Sequence, residues 1–390
     1  GKTEFLVRRA LHLLNQEQVP PENITILGFS RRGVSEVKER IREAFQGTIG
    51  ALDVATFHSY AARLLELHAA EAQWQAPPQI LTGPEQVALV HHLLQEEDPA
   101  RWSPAFAQLL PTRTFAGEVT EFILRAAEQM QTPEGIAGLG RADWRGLPEF
   151  IQRYETTLRS TGRIDYGTLI SVAARLVEAG VLQRPSASDS YLLIDEYQDT
   201  TTAQVRLLQA LQTRNHHVLT AADPYQSIYS FRGATLENVA SFEEDFSTSA
   251  ASARRFLLTT SFRTPAEILR AAVAVTTGDL PGATGAVVPA SGRGAVEAHL
   301  FDQQVEEAEW IAAEAQRLHL TEQIPFDKIG VFVRSKRRLL SDLSRALERR
   351  HIPHDLPGTR LNDQPAVRFV LDLAASATGC DGPAASAQSL

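Results

Sequence analysis

Cysteine is nearly absent: the chain has one, Cys380, near its carboxyl end. An internal disulfide framework is excluded, and the usage fits a reducing compartment, so a cytoplasmic location is expected. No apolar run reaches membrane-spanning length, no amino-terminal signal pattern is seen and no internal repeat appears. A surplus of positive charge is also missing. Lys and Arg number 38 against 47 Asp and Glu, for a net charge of −9. That balance is not the one expected of a protein that coats nucleic acid passively over its surface. It leaves room for a narrow channel lined by Arg, Lys and aromatic rings inside an acidic exterior.

The 390 residues suffice for two or three domains. Apolar spacing predicts a helix from Glu4 to about Leu14, then a buried strand at Ile24-Thr25-Ile26-Leu27-Gly28-Phe29. A helix from about Val34 to Phe45, a short strand at Asp53–Phe57 and a helix at Ser59–His68 follow. This alternation predicts a parallel sheet covered by helices. From about Thr82 to Ala179 strand signals vanish, and helical spacing marks Glu85–Gln95, Phe115–Gln129 and Leu147–Arg159. Strands resume at Tyr191–Ile194 and Val218–Ala222, with a helix at Thr202–Gln212 between them. A helix runs from Pro265 to about Val275, and Gly and Pro between Gly278 and Gly294 mark a loop. A second set is expected after it: strands at Val296–Phe301 and Ile329–Val333, helices at Val305–His319 and Leu339–Arg350. The stretch Cys380–Leu390 reads as a frayed end.

Two strings carry the chemistry. Leu192-Leu193-Ile194-Asp195-Glu196-Tyr197-Gln198-Asp199-Thr200 sets two adjacent carboxylates at the end of an apolar strand, the sheet edge where α/β ligands sit. Asp223-Pro224-Tyr225-Gln226-Ser227-Ile228-Tyr229-Ser230-Phe231-Arg232-Gly233-Ala234 gathers an acid, a Gln, aromatics and an Arg. The opening Gly1-Lys2-Thr3 looks like the tail of a phosphate loop, in which a Lys reaches the β- and γ-phosphates and a hydroxyl binds Mg²⁺. Asp195 would hold the metal and Glu196 would orient and deprotonate an attacking water.

These strings closely resemble the UvrD/PcrA/Rep family of superfamily 1 DNA helicases. Thr56-Phe57-His58-Ser59 and Thr260-Ser261-Phe262-Arg263-Thr264 resemble two more of its motifs, and the resemblance runs from residue 1 to about 372. It implies an α/β fold: a P-loop, RecA-like parallel sheet with a helical insertion, followed by part of a second RecA-like domain. The implied division is 1–84 and 166–280 for the first motor domain, 85–165 for the insertion and 281–390 for the second motor domain. It also implies a 3′→5′ translocase that hydrolyses ATP with Mg²⁺ on single-stranded DNA and at duplex junctions, in repair or recombination, with a partner subunit as an option and no membrane.

Residue by residue, the resemblance assigns Gly1, Lys2, Thr3, Phe262 and Arg232 to the nucleotide and Thr3 and Asp195 to the metal. Asp195, Glu196, Gln226 and Arg263 are assigned to hydrolysis, Gln226 as γ-phosphate sensor and Arg263 as the arginine finger. Phe29, Thr56, His58, Tyr229 and Phe231 are assigned to DNA. Phe29 suits core packing as well as base stacking, and His58 suits a helix start as well as a DNA contact. Arg31 and Arg32 fit phosphate contacts or a solvated pair equally. Asp165-Tyr166 resembles the family's return to the sheet and is given a structural role.

Departures are modest: Ala222 for Gly, Tyr225 for Asp, Phe262 for Tyr and Glu4 for Arg. The Gly-rich part of the phosphate loop and the later family motifs are expected outside these residues, which alone would not couple hydrolysis to movement. An AdnAB-type helicase–nuclease, an ATPase-inactive subunit and an RNA-directed motor are the competing expectations.

Overall fold

The computed structural model describes residues 1–45, 47, 50–181, 190–212, 216–248, 252–276, 280–283, 288–289 and 294–355. The expected frayed end at Cys380–Leu390 and part of the expected Gly278–Gly294 loop lie outside the described residues. The chain divides into two compact units, Gly1–Ala295 and Val296–Leu390.

In the first unit, helix α1 (Lys2–Asn15) leads to strand β1 (Ile24–Gly28), helix α2 (Arg31–Ala44), strand β2 (Asp53–Thr56) and helix α3 (Phe57–Leu67). Strand β3 (Gln79–Leu81) opens a helical run of α4 (Gly83–Gln95), α5 (Pro104–Ala107), α6 (Arg113–Glu128), α7 (Pro133–Gly138) and α8 (Leu147–Ser160). Strand β4 (Arg163–Asp165) ends it, and α9 (Thr168–Glu178), β5 (Ser190–Ile194), α10 (Thr202–Leu211) and β6 (His216–Thr220) follow. The unit continues through α11 (Glu237–Ala240), α12 (Phe242–Phe246), β7 (Thr260–Ser261), α13 (Ala266–Val275) and β8 (Val288–Pro289).

The main sheet has the order β2-β1-β5-β6, and every pairing in it is parallel. Strand alternation explains why its sequences read as unbroken apolar runs. Ile24, Ile26 and Leu193 point to one face and pack with Leu6, Ala10, Leu13, Val37 and Ile41 of α1 and α2. Leu27, Leu192 and Ile194 point to the other and pack with Leu64, Leu65, Ala173, Leu207 and Leu208 of α3, α9 and α10. Burial on both faces requires both sets to be apolar. From β1 the chain winds outward to β2, then returns to place β5 on the other side of β1. The carboxyl ends of β1 and β5 therefore flank the point where the winding reverses, which is where such sheets leave a crevice for ligands.

The helical run has its own core, built on Trp102, Phe115, Ile123, Phe150, Ile151 and Tyr154. At its foot β3 and β4 pair in parallel, with Leu81 opposite Asp165. Strand β4 corrects the expectation that strands vanish between Thr82 and Ala179. Three residues are too few to display an alternating pattern. Asp165 is fully buried, accepting from Thr168 N at 2.7 Å and from the Tyr154 hydroxyl at 3.0 Å.

In the second unit, helices α14 (Gln304–Glu322) and α15 (Lys336–Arg349) pack Ala308, Ala312 and Ala315 against Leu339, Leu343, Ala346 and Leu347. The expected strands at Val296–Phe301 and Ile329–Val333 do not form. Their composition favours extended backbone, but a strand exists only against a hydrogen-bonded neighbour, and among the described residues they have none. Leu300 and Phe332 are accordingly exposed.

Candidate nucleotide and nucleic-acid site

The two strings meet at the carboxyl edge of the sheet. Asp195 N still donates to the Leu27 carbonyl at 3.0 Å, so the last sheet bond fixes this acid over the edge. The start of α1 faces it: Thr3 Oγ1 donates to Asp195 Oδ2 at 2.9 Å, across 192 residues of sequence. Burial pushes the Asp195 carboxyl above the ordinary range; the Thr3 hydroxyl opposes this and the Glu196 charge adds to it. Thr3 and Asp195 offer two hard oxygens on one side of the site. That donor set suits Mg²⁺, which takes one or two protein oxygens and keeps water and substrate phosphates for the rest. Among the described residues no group of three or more His, Cys, Asp or Glu side chains forms a metal cage.

Lys2 supplies the positive pole. Its Nζ lies 3.4 Å from Asp223 Oδ2 and 3.7 Å from Glu196 Oε2. Gly1 is the exposed cap of α1, and its carbonyl accepts from Phe5 N at 3.1 Å. Glu196 adopts left-handed backbone, with φ 54° and ψ 44°. A non-glycine residue there costs about 1–2 kcal/mol, so surrounding contacts must hold it. Gln198 is one of them: Nε2 donates to Glu196 Oε2 at 2.7 Å, and Oε1 accepts from Asp223 N at 2.9 Å. Gln226 Nε2 in turn donates to Asp223 Oδ2 at 2.6 Å.

Beside this polar group lies a patch of rings. Phe29, just past β1, sits 4.6 Å from the Tyr229 ring, and Tyr229 sits 6.0 Å from Phe231. The Arg232 guanidinium covers both, 5.4 Å from Tyr229 and 5.6 Å from Phe231. Phe231 is 60% exposed, so much of its side chain is open to solvent. Arg232, expected at the nucleotide, is thus placed on the aromatic side.

Gly233 ends this turn with φ 80°, and a Cβ there would stand 2.7 Å from Glu128 Oε2. The end of α6 therefore covers the loop. Gln129 Nε2 donates to the Gly233 carbonyl at 3.0 Å, and its Oε1 accepts from the Thr202 hydroxyl at 3.0 Å. Burial pushes the Glu128 carboxyl up to about 7, against the charges of Arg125 and Arg232. Its Oε2 is buried without a hydrogen-bond partner among the described residues. The folded state thus holds this proton more tightly than the unfolded chain, so stability falls as pH rises from about 4.5 through about 7. Glu128→Gln is expected to raise the melting temperature at pH 8 and leave it nearly unchanged at pH 4. Melting curves at the two pH values test this, and an equal change at both would refute it.

Thr56 caps α3, its Oγ1 accepting from Ser59 N at 3.2 Å. His58 stacks on Tyr166 with ring centres 3.9 Å apart, and burial pushes its imidazole down to about 4. Burial here therefore favours the neutral imidazole. Arg31 and Arg32 are exposed in the first turn of α2, which Ser30 caps. Phe262 and Arg263 are exposed beyond β7; among the described residues, no hydrogen bond or ion pair joins them to the Lys2 cluster. Sequence reasoning missed Gln198, Asp223, Glu128 and Gln129 as parts of the site. The first two lie within the quoted strings. Nothing local links Gln129 to Gly233, 104 residues away.

A parallel α/β sheet with Lys and Thr at the start of its first helix, facing Asp and Glu at a strand end, defines a RecA-like P-loop fold. Residues 1–247 match the family model of the UvrD/REP helicase N-terminal domain, and the chain belongs to that family. It is 24% identical over 382 residues to the ATP-dependent DNA helicase PcrA of Bacillus subtilis, covering 95% of this chain and 49% of that protein. To proteins of the same name from Staphylococcus epidermidis and Staphylococcus aureus it is 27% identical over 277 and 278 residues, which is 70% of this chain and 36% of each relative. The chain thus spans about half the length of these relatives or less. Among the described residues no helix is long and apolar enough to cross a membrane.

Proposed function

We propose that the protein is an ATP-dependent DNA helicase that moves 3′→5′ along single-stranded DNA and opens duplex junctions, in repair or recombination in the cytoplasm. The observation that carries this is the joining of Lys2, Thr3, Asp195, Glu196 and Gln226 beside the Phe29–Tyr229–Phe231 rings. Residues 1–84 and 166–280 serve as the first motor domain, 85–165 as its insertion and 281–390 as part of the second. Lys2 binds the β- and γ-phosphates, and Thr3 and Asp195 would hold Mg²⁺, which when bound neutralises phosphate charge. Glu196 takes the proton of the attacking water. Gln226 senses the γ-phosphate, and Arg263 acts on it as a finger from the edge of the first motor domain, with Phe262 against adenine. Phe29, Tyr229 and Phe231 stack on bases, and Thr56 and His58 lie along the strand. Stacking tolerates any base, as movement along any sequence requires.

The test is ATP hydrolysis with and without single-stranded DNA, together with unwinding of duplexes that carry a 3′ or a 5′ tail. Strong stimulation and a preference for the 3′ tail are expected. A rate indifferent to DNA would refute the motor. Phe231→Ala is expected to weaken single-stranded DNA binding about tenfold, at the low end of one lost stack. Fluorescence titration checks this, and an unchanged affinity would remove Phe231 from the DNA path.

A further inference from the structure

We propose that Gln198 is a positioning residue for hydrolysis, locking the base to the loop that carries the phosphate sensor. This rests on the assignments of Glu196 and Gln226 made above. Gln198 is 1% exposed, and both ends of its amide are engaged. Its orientation is fixed by chemistry: Asp223 N can only donate, so the atom facing it is Oε1, and Nε2 must face Glu196. The only other partner of the Glu196 carboxylate among the described residues is Lys2, at 3.7 Å. Once Lys2 engages phosphate, the Gln198 amide is what still aims the carboxylate.

The other end of the amide reaches further. Asp223 opens the turn Pro224–Gln226, and its carboxylate accepts from the backbone of Tyr225 at 3.1 Å and from the side chain of Gln226 at 2.6 Å. Base, amide, turn and sensor are therefore joined in series by short hydrogen bonds. A shift of Gln226 toward or away from phosphate is transmitted through Asp223 and Gln198 to Glu196. The link aligns the water-activating carboxylate only when the sensor loop is in place.

The experiment measures DNA-stimulated ATP hydrolysis by the intact protein. Gln198→Met keeps the volume and removes both hydrogen bonds; kcat is expected to fall about 10–100-fold with KM for ATP changed less than about threefold. In a Glu196→Gln background, the same substitution is expected to add little, because the base it positions is already gone. Gln198→Glu supplies the readout that a structural role would not move. The introduced carboxyl accepts from Asp223 N in either state but donates to Glu196 only while protonated. Glu196, Asp223 and Lys2 are charged groups around it, and the Asp195 and Asp199 carboxyls feel the Glu196 and Lys2 charges as well, so each rate is read as a ratio to the parent at the same pH. Activity relative to the parent is therefore expected to fall as pH rises. A folded Gln198→Met protein with kcat within about twofold of the parent overturns the proposal. If that protein does not fold, a pH-independent ratio for Gln198→Glu overturns it. Loss of activity in Glu196→Gln alone leaves the function standing while Gln198 fails; unchanged hydrolysis in Glu196→Gln brings down the base assignment itself.

Discussion

Glu196→Gln is expected to lower DNA-stimulated ATP hydrolysis by about 10²–10⁴-fold while nucleotide binding stays within a few-fold. The substitution is isosteric. The new amide oxygen can still accept from Gln198 Nε2, which lies 2.7 Å from the present carboxylate, and the left-handed backbone at residue 196 asks nothing more of Gln than of Glu. What disappears is the ability to take a proton from water. Lys2 keeps its second partner, Asp223 at 3.4 Å, so the phosphate pole of the site remains ordered. The loss should therefore appear in kcat and not in the dissociation constant of a non-hydrolysable ATP analogue. Equal rates in parent and variant would remove Glu196 as the base and reopen the expectation of an ATPase-inactive subunit.

Much of this centre was legible because its parts are contiguous. Asp195, Glu196 and Gln198 share one string, and Gln226, Tyr229, Phe231 and Arg232 share another. The strands that deliver them announced themselves as apolar runs because both faces of the sheet are covered. What was illegible depends on partners far away in sequence. The clamp of Gln129 on Gly233 belongs to no local pattern, since its ends sit on a helix of the insertion and on a loop of the sheet domain. The Glu196–Gln198 bond arises from a left-handed residue that no periodicity encodes. Strand β4 was too short to show alternation. The segments Val296–Phe301 and Ile329–Val333 have strand composition without a strand's neighbour, and composition alone cannot supply one.

Asp165→Ala is expected to destabilise the first unit by about 3–5 kcal/mol, with a drop in melting temperature on the order of 10 °C. Burial pushes this carboxyl above the ordinary range, and the backbone N–H and side chain of Thr168 and the Tyr154 hydroxyl work against that rise. Asp165 is thus a fully desolvated acceptor serving two donors from different elements: Tyr154 on α8 at 3.0 Å and Thr168 at the start of α9 at 2.7 Å. The residue ends β4, whose pairing with β3 closes the helical run. Removing it leaves a buried hydroxyl and a buried N–H unsatisfied and opens a small void where the run returns to the sheet. Each orphaned donor alone costs about 1–3 kcal/mol. Asp165→Asn retains an acceptor for Thr168 N and should lose about half as much, since only the Tyr154 hydroxyl is deprived of its acceptor. Calorimetric melting of parent, Asn and Ala proteins should rank them in that order. A melt of Asp165→Ala within about 1 °C of the parent would show that the junction is held by its apolar core alone and that Asp165 is no keystone.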